Sequence, residues 1–337
     1  MNLKGNIPWV EKYRPHTIDD ILDQNEVTKI LKKCIKRNGN IPHMLFYGSS
    51  GTGKSSTALA LCYQLFGKKY FSDRVLELNA SDERGIKVVR EKIKNFAKKK
   101  IRDVTDKKYK FVCPDYKVII LDEADALTDD SQFALRRIIE KYSVSTRFFL
   151  ICNFISKINN ALISRCAKYC FRKLSSGTII QCLRKISKKE DFIISLKNIK
   201  KIINYSEGDL RKSIITLQRL YFISKNTNNN EILDNLTIMI SEDKFNYLVK
   251  ILKVNDSYEN VKKITSYFIR NSYDCQLILD EFSKKIVVSD LNNLQKSLLF
   301  LKLSDLDYLV NNGSSDEIVL INFFTYFGKV LNEYKKG

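Results

Sequence analysis

Five short apolar runs punctuate the first 174 residues: "HMLFYG", "RVLELN", "KVIILDE", "RFFLICN" and "AKYCFRKL", with helix-length segments between them. Each run is nearly continuous in apolar residues. That pattern predicts strands buried on both faces of a parallel sheet, with helices covering it. After about Leu174 the texture turns wholly helical. "SEGDLRKSIITLQRLYFI" sets Leu210, Ile214, Leu217 and Leu220 at helical spacing. The polar stretch "SKNTNNNE", Ser224 to Glu231, reads as a linker. Beyond it, helices are expected to start at capping residues. Asp274 precedes Leu277, Ile278 and Phe282; Asp290 precedes Leu291, Leu294, Leu298 and Leu301; Ser315 or Asp316 precedes Ile318, Ile321, Phe324 and Phe327. Most of these apolar positions are expected in a core, with some left to face a partner subunit.

A chain of 337 residues is long enough for two or three domains. Its 44% hydrophobic and 28% charged residues describe a soluble globular protein. The formal charge of +20 suits a polyanionic partner, nucleic acid being the commonest. The plain alternative is a Lys-, Asn- and Ile-rich composition bias. "MNLKGNIPWV" has no apolar core of a signal peptide, and runs such as "FFLIC" are too short to span a bilayer. No membrane association is expected, and the eight cysteines read as reduced thiols. Cys166 and Cys170 lack a second ligand pair at zinc spacing, so they are expected to be small buried hydrophobes.

The sharpest chemical signal is "GSSGTGKSS", Gly48 to Ser56, directly after one apolar run and before the helical "TALALCYQLF". It fits G-x-x-x-x-G-K-[ST], and the strand–loop–helix context gives the match its force. Glycines let backbone N–H groups turn inward around phosphate oxygens, and the helix N-terminus adds its positive end. Lys54 would sit on the β- and γ-phosphates, and the Ser55 hydroxyl would bind Mg²⁺. "KVIILDEAD" ends a second run in carboxylates: Asp122 suits Mg²⁺ and Glu123 an attacking water, or the two simply start a helix. Asn153, closing "FFLICN", could reach the γ-phosphate or merely end a strand. Arg211 in "EGDLRKS" could report the γ-phosphate to the helical segment or be a surface charge. Arg165, between the two cysteines of "SRCAKYC", reads from residues alone as a surface charge. A helix from about Gly85 to Lys100 would stack Ile86, Val89, Ile93, Phe96 and Ala97 on one stripe. Arg84, Lys87, Arg90, Lys94 and Lys98 would flank it, either as a solvated basic face or as a track for phosphates. No N-K-x-D guanine motif occurs, and the helicase signatures beyond "DEAD" are absent.

Together "PWVEKYRP" (Pro8–Pro15), "LELNASDERGI" (Leu76–Ile86), "LDEADALT" (Leu121–Thr128), "ALRRIIEKYS" (Ala134–Ser143), "LICN" (Leu150–Asn153), "SRC" (Ser164–Cys166) and "EGDLRK" (Glu207–Lys212) resemble the AAA+ ATPases. Among these they resemble the small subunits of replication factor C, the eukaryotic clamp loader. "VREKIKNFA" and "FVCPDYKVIILDEAD" are most similar to the fourth-subunit type. The motifs span about the first 220 residues, and the last hundred match only in helical character. The loop departs from the family pattern, reading "SSGTGKS" where two prolines and a threonine are usual, a change expected to retain phosphate binding.

The resemblance implies an α/β AAA+ P-loop core with a five-stranded parallel sheet over residues 1–172, a small helical lid over 173–230 and an all-α collar over 231–337. It implies ATP and Mg²⁺ as cofactors, held by Gly48, Ser49, Ser50, Gly51, Thr52, Gly53, Lys54, Ser55 and Ser56, with Val10 and Arg14 on the adenine side beside Tyr13 and Pro15. Asn153 and Arg211 become the γ-phosphate sensors of core and lid. Arg165 becomes an arginine finger acting in trans on the ATP of the next subunit, worth ~3–5 decades in rate. Arg84, Lys87, Arg90 and Lys94 become contacts to duplex phosphates. The implied partners are the other replication factor C subunits in a hetero-pentamer, the sliding clamp (proliferating cell nuclear antigen) and primer–template DNA, in the nucleus. A shared small subunit of a checkpoint or cohesion loader, a non-hydrolysing ATP-binding scaffold and a helicase are the alternatives.

Overall fold

A computed structural model describes residues 7–81, 86–99, 111–224, 242–254, 257–271 and 273–333. The chain divides into two compact units, Met1–Thr227 and Asn228–Gly337.

In the first unit the five apolar runs become one sheet: β1 Met44–Gly48, β2 Val75–Asn79, β3 Lys117–Asp122, β4 Thr146–Cys152 and β5 Ala167–Phe171. The order is β2-β3-β4-β1-β5 and every pairing is parallel. The short α1 Trp9–Lys12 belongs to the N-terminal arm, and around the sheet run α2 Asn25–Lys36, α3 Lys54–Arg74, α4 Ile86–Lys98, α5 Asp129–Tyr142 and α6 Asn160–Ile163. Successive strand side chains enter opposite cores. Met44, Phe46, Val118, Ile120, Phe149 and Ile151 pack with α3 through Ala58, Leu61 and Leu65. Leu45, Ile119, Leu121, Phe148 and Leu150 pack with α5 through Leu135, Ile138 and Ile139. Two-sided burial is why these strands carry continuous apolar sequence; each such side chain contributes roughly 1.5–3 kcal/mol. The topology brings the carboxyl ends of β1, β3 and β4 side by side, the place where open α/β sheets bind ligands.

β5 lies at the sheet edge. Tyr169 and Phe171 take its inner positions, so Cys170, one residue out of phase, is exposed. This corrects the expectation that both cysteines of "CAKYC" are buried. Cys166 is only partly exposed, and burial pushes its thiol up to about 12. Along α4, Ile93 and Ala97 are buried while Lys94 and Lys98 are exposed. The buried ammonium of Lys117 donates to the carbonyls of Phe96, at 2.7 Å, and Lys99, holding the carboxyl end of α4. Arg84 lies outside the described residues, as do the side chains of Lys87 and Arg90.

Three further helices complete this unit: α7 Ser176–Lys189, α8 Leu196–Ser206 and α9 Leu210–Ser224. Ser175 and Ser195 cap the first two, each accepting a backbone N–H at 3.2 Å. Ile214, Leu217 and Leu220 are buried as their spacing predicts, whereas Leu210 is only partly so. The N-terminal arm packs on these helices. The Trp9 backbone N–H donates to Gln218 Oε1 at 3.0 Å, and the indole ring lies 5.2 Å from that of Tyr221. Lys12 and Tyr13 donate to Glu190 Oε1 at 2.6 and 2.5 Å.

The second unit contains α10 Glu242–Val254, α11 Tyr258–Arg270, α12 Cys275–Val288, α13 Asn293–Asn311 and α14 Asp316–Glu333 around a core of its own. Asp274 caps α12 as expected, accepting from the Leu277 N–H at 3.2 Å. α13 departs from the prediction. Its cap is Asn292, which exchanges bonds of 2.7 and 3.1 Å with Gln295; this reciprocal box satisfies two donors where Asp290 could satisfy one. Along α13, Leu299, Leu303 and Leu306 are buried while Leu294 and Leu301 are exposed. Ile318 of α14 is exposed too, while Phe324 and Phe327 are buried. The predicted linker residues 225–231 lie outside the described residues. Among the described residues no helix is long and apolar enough to cross a membrane.

Candidate functional site

A cavity of ≈ 670 Å³ opens over the carboxyl ends of β1, β3 and β4. The loop "SGTGKSS", Ser50 to Ser56, forms its floor, with Asp122, Glu123 and Asn153 at one side. Val10, Tyr13, Arg14 and Pro15 of the arm form a second wall. Cys182, Ile186, Leu210, Arg211 and Ile214 of the helical segment form a third. Gly48 and Ser49 do not line the cavity; their carbonyls instead accept from Lys54 Nζ, both at 2.8 Å.

The loop is built from positive-φ glycines. Gly48 has φ 140, and a Cβ there would meet the Phe171 carbonyl oxygen at 2.2 Å, so this position must be bare where β1 and β5 end. Gly51 has φ 70, and a Cβ would stand 2.0 Å from Asp209 Oδ1. Asp209 also caps α9, accepting from the Lys212 N–H at 3.1 Å. The helical segment therefore touches the loop through a carboxylate.

Lys54 opens α3 with its side chain tucked back beneath the loop. Besides the two carbonyls, its Nζ donates to Asn153 Oδ1 at 2.9 Å. Burial lowers its pKa, and the Asp122 carboxylate opposes that shift. Asn153 is fixed through its own backbone: Asp125 Oδ2 accepts the N–H groups of Asn153 and Phe154, both at 3.1 Å. Ser55 Oγ donates to Asp122 Oδ2 at 2.6 Å. A hydroxyl and a carboxylate at a strand end, beside a lysine, are hard oxygen donors of the kind Mg²⁺ takes with one or two carboxylates and phosphate oxygens. Glu123 follows with φ 54, a left-handed conformation unusual for glutamate, and its N–H donates to Asp122 Oδ1 at 2.9 Å. The strained turn leaves its carboxylate exposed at the cavity.

Every predicted cofactor residue is thus in or under one cavity, Arg211 included. Arg165, expected to act on a neighbouring subunit's nucleotide and not on its own, does not line the cavity. It sits beyond α6, donating to the Ala161 carbonyl at 2.6 Å and to the Glu140 carboxylate of α5. Three contributors escaped the sequence reading. Asp125 shares the acidic tail of "LDEAD", and Asp209 stands at a cap position ahead of an apolar stripe, so both carried a local signal. Glu190, which gathers Lys12 and Tyr13, carried none.

Comparison with known proteins agrees with this geometry. The ATPase family associated with various cellular activities (AAA) matches residues 44–174, and an RCF1/5-like AAA+ ATPase lid domain matches 181–221. Replication factor C subunit 2 of Saccharomyces cerevisiae is 39% identical, covering 94% of this chain and 91% of that protein. Replication factor C subunit 4 of Homo sapiens is 40% identical over 94% of this chain and 86% of its own length. Similarity therefore runs into the second unit, beyond the first 220 residues to which the motifs were confined. Among solved structures, the Holliday junction branch migration motor RuvB of Thermotoga maritima superposes with a TM-score of 0.52 over 72% of this chain and 78% of its own, at 16% identity. A variant of that protein reaches 0.54 over 94% and 91% at 13%. That likeness concerns the fold alone.

Proposed function

Because this chain belongs to the replication factor C subunits, within the AAA+ ATPases, we propose that it is an ATP-driven protomer of a sliding-clamp loader. The observation that carries the reading is the joined pair of bonds in the cavity, Lys54 to Asn153 and Ser55 to Asp122. A cation, a hydroxyl, a carboxylate and an amide gathered beside a glycine-rich loop are the groups that a triphosphate tail and its Mg²⁺ call for, and this supports the reading.

In this reading the loop N–H groups and Lys54 bind the phosphates of ATP, and Val10 and Arg14 flank the base. Ser55 and Asp122 would hold Mg²⁺, which supplies charge on the β- and γ-phosphates. Glu123 orients and polarises the attacking water, Asn153 contacts the γ-phosphate from the core, and Arg211 does so from the lid. Arg165 acts in trans on ATP held by a neighbouring subunit, since its own cavity does not include it. Residues up to about 172 form the nucleotide core, 173–230 the lid, and 231–337 a collar that joins subunits in a hetero-pentamer. Lys94, with Lys87, Arg90 and Arg84, tracks duplex phosphates without reading sequence, which suits the net charge of +20. ATP binding stabilises the open clamp, namely proliferating cell nuclear antigen. Primer–template DNA triggers hydrolysis and release, in the nucleus.

The test is a complex of this chain with its partner subunits, assayed for retention of a ring clamp on primed circular DNA. Lys54→Ala should abolish ATP-dependent retention. Undiminished retention, or an isolated chain that hydrolyses ATP as fast as the complex, overturns the proposal.

A further inference from the structure

Arg165 does not hang free at the protein surface. Its Nη1 donates to the Ala161 carbonyl at 2.6 Å and to Ser164 Oγ at 3.4 Å, while Nη2 donates to Glu140 Oε1. The same Glu140 oxygen accepts from Arg136 Nε at 3.1 Å. Glu140 and Arg136 are one turn apart on α5, and Arg165 follows α6, so two guanidinium groups meet on one carboxylate. We propose that Glu140, supported by Arg136, is a positioning residue that braces the Arg165 guanidinium for its action on the neighbouring subunit's nucleotide. This rests on the in-trans reading of Arg165 given above.

The pattern of bonds decides between a brace and a trap. Ala161, Ser164 and Glu140 engage the two Nη atoms, and among the described residues Nε of Arg165 donates to none. An incoming phosphate oxygen can therefore take the Nε–H while all three existing contacts persist. A carboxylate trap would instead have to be broken first. Charge points the same way. A finger paired with a lone carboxylate would present no net charge to a phosphate, whereas two arginines sharing one glutamate leave a surplus of one positive charge. The Arg136 hydrogen bond, followed by that of Arg165, keeps Glu140 ionised by holding its pKa below the usual carboxylate range. Lysine could not replace Arg165 here, because its donors all sit on one nitrogen, whereas the guanidinium reaches the Ala161 carbonyl and Glu140 from two separate nitrogens and keeps Nε–H in the same fixed plane.

The experiment uses the assembled complex with primed DNA, its other phosphate-loop lysines replaced so that only the site facing Arg165 turns over. Arg165→Ala should lower kcat by ~10³-fold or more. Glu140→Ala should lower kcat by ~10–100-fold, the scale of a catalytic group misplaced by about 1 Å, with KM for ATP within about twofold. Glu140→Gln should recover most of that loss, since its amide oxygen can accept from both arginines. The double variant Glu140→Ala/Arg165→Ala should be no slower than Arg165→Ala alone, because a brace without a finger has nothing to position. A merely structural role would add its own loss. Unchanged or faster turnover in Glu140→Ala, or additive losses in the double variant, overturns the brace while leaving the finger standing. An Arg165→Ala complex at full speed overturns the finger itself, and the brace with it.

Discussion

The ammonium of Lys54 donates to the side-chain oxygen of Asn153 at 2.9 Å, tying the loop after β1 to the end of β4. That bond orients the Asn153 amide so that its NH₂ group, the donor end, is turned away from the lysine. Replacing Asn153 by Ala removes one of three Lys54 acceptors and the amide donor together. Charge-assisted bonds of this kind are worth about 1.5–3 kcal/mol, so turnover in the complex should fall ~10–100-fold. Nucleotide affinity should fall less, because the Gly48 and Ser49 carbonyls still hold Lys54. Single-turnover hydrolysis beside a nucleotide titration separates the two; equal losses in both would refute the assignment.

Glu123 stands at the mouth of the cavity on a left-handed residue, beside an Asp122 already engaged by Ser55. The division of labour predicts opposite phenotypes for the neighbouring carboxylates. Glu123→Gln should bind ATP normally and lose ~10²–10⁴ in kcat, the usual scale for a general base. Asp122→Asn should weaken Mg²⁺-dependent nucleotide binding, and chelation with EDTA should make it indistinguishable from the unmodified chain. Equilibrium binding of a fluorescent ATP analogue with and without Mg²⁺ is the check.

How much of this was legible in the sequence follows from the range of the forces involved. The strands were readable because two-sided burial writes itself into consecutive residues, as in Val118–Leu121. The loop was readable because its glycines answer a local backbone demand. α13 is only half legible because leucines populate two stripes: of the expected set, Leu298 and, just ahead of the helix, Leu291 pack partly against the core while Leu294 and Leu301 are exposed, and the fully buried positions are Leu299, Leu303 and Leu306. Which stripe faces inward depends on α14 and α12, distant in sequence. Glu190 was invisible for the same reason, since its partners Lys12 and Tyr13 lie 178 and 177 positions away. Cys170 differs in kind: the apolar run does form a strand, but β5 is an edge strand buried at alternate positions, and Cys170 falls between Tyr169 and Phe171 on the open face.

Gly51 predicts a coupling between loop and lid. An alanine there would carry a left-handed residue, costing about 1–2 kcal/mol, and would drive its Cβ into the Asp209 carboxylate. Gly51→Ala should therefore weaken ATP binding by ~10-fold or more. Combining it with Asp209→Gly should recover part of the loss by removing the collision, though not the backbone strain. A Gly51→Ala chain with unaltered affinity would show that loop and lid are not in contact when nucleotide binds.

The last prediction concerns acid stability and involves no ligand. His43, just before β1, accepts the Phe148 N–H on Nδ1 at 3.1 Å and packs its ring 5.6 Å from that of Phe148. Burial, with the nearby Arg147 charge, lowers its pKa to about 4. In the unfolded chain it titrates near the ordinary value of about 6.5. Between those two values the unfolded state binds the extra proton, so stability is intact above about pH 6.5 and is lost as pH falls towards 4. The full shift corresponds to about 3.4 kcal/mol, and partial exposure of the ring to solvent lowers the expected loss to on the order of 2–3 kcal/mol. Protonation at Nδ1 would also turn the acceptor for Phe148 into a second donor facing a donor, which adds to the penalty. His43→Asn supplies an amide oxygen near the Nδ1 position and removes the titration. Urea midpoints of the full chain at pH 7.5, 5.5 and 4.5 should fall steeply for histidine and distinctly less for asparagine, carboxylates elsewhere being common to both. Parallel curves for the two proteins would mean that His43 takes up its proton equally in the folded and unfolded states, which the bond from Phe148 to Nδ1 opposes.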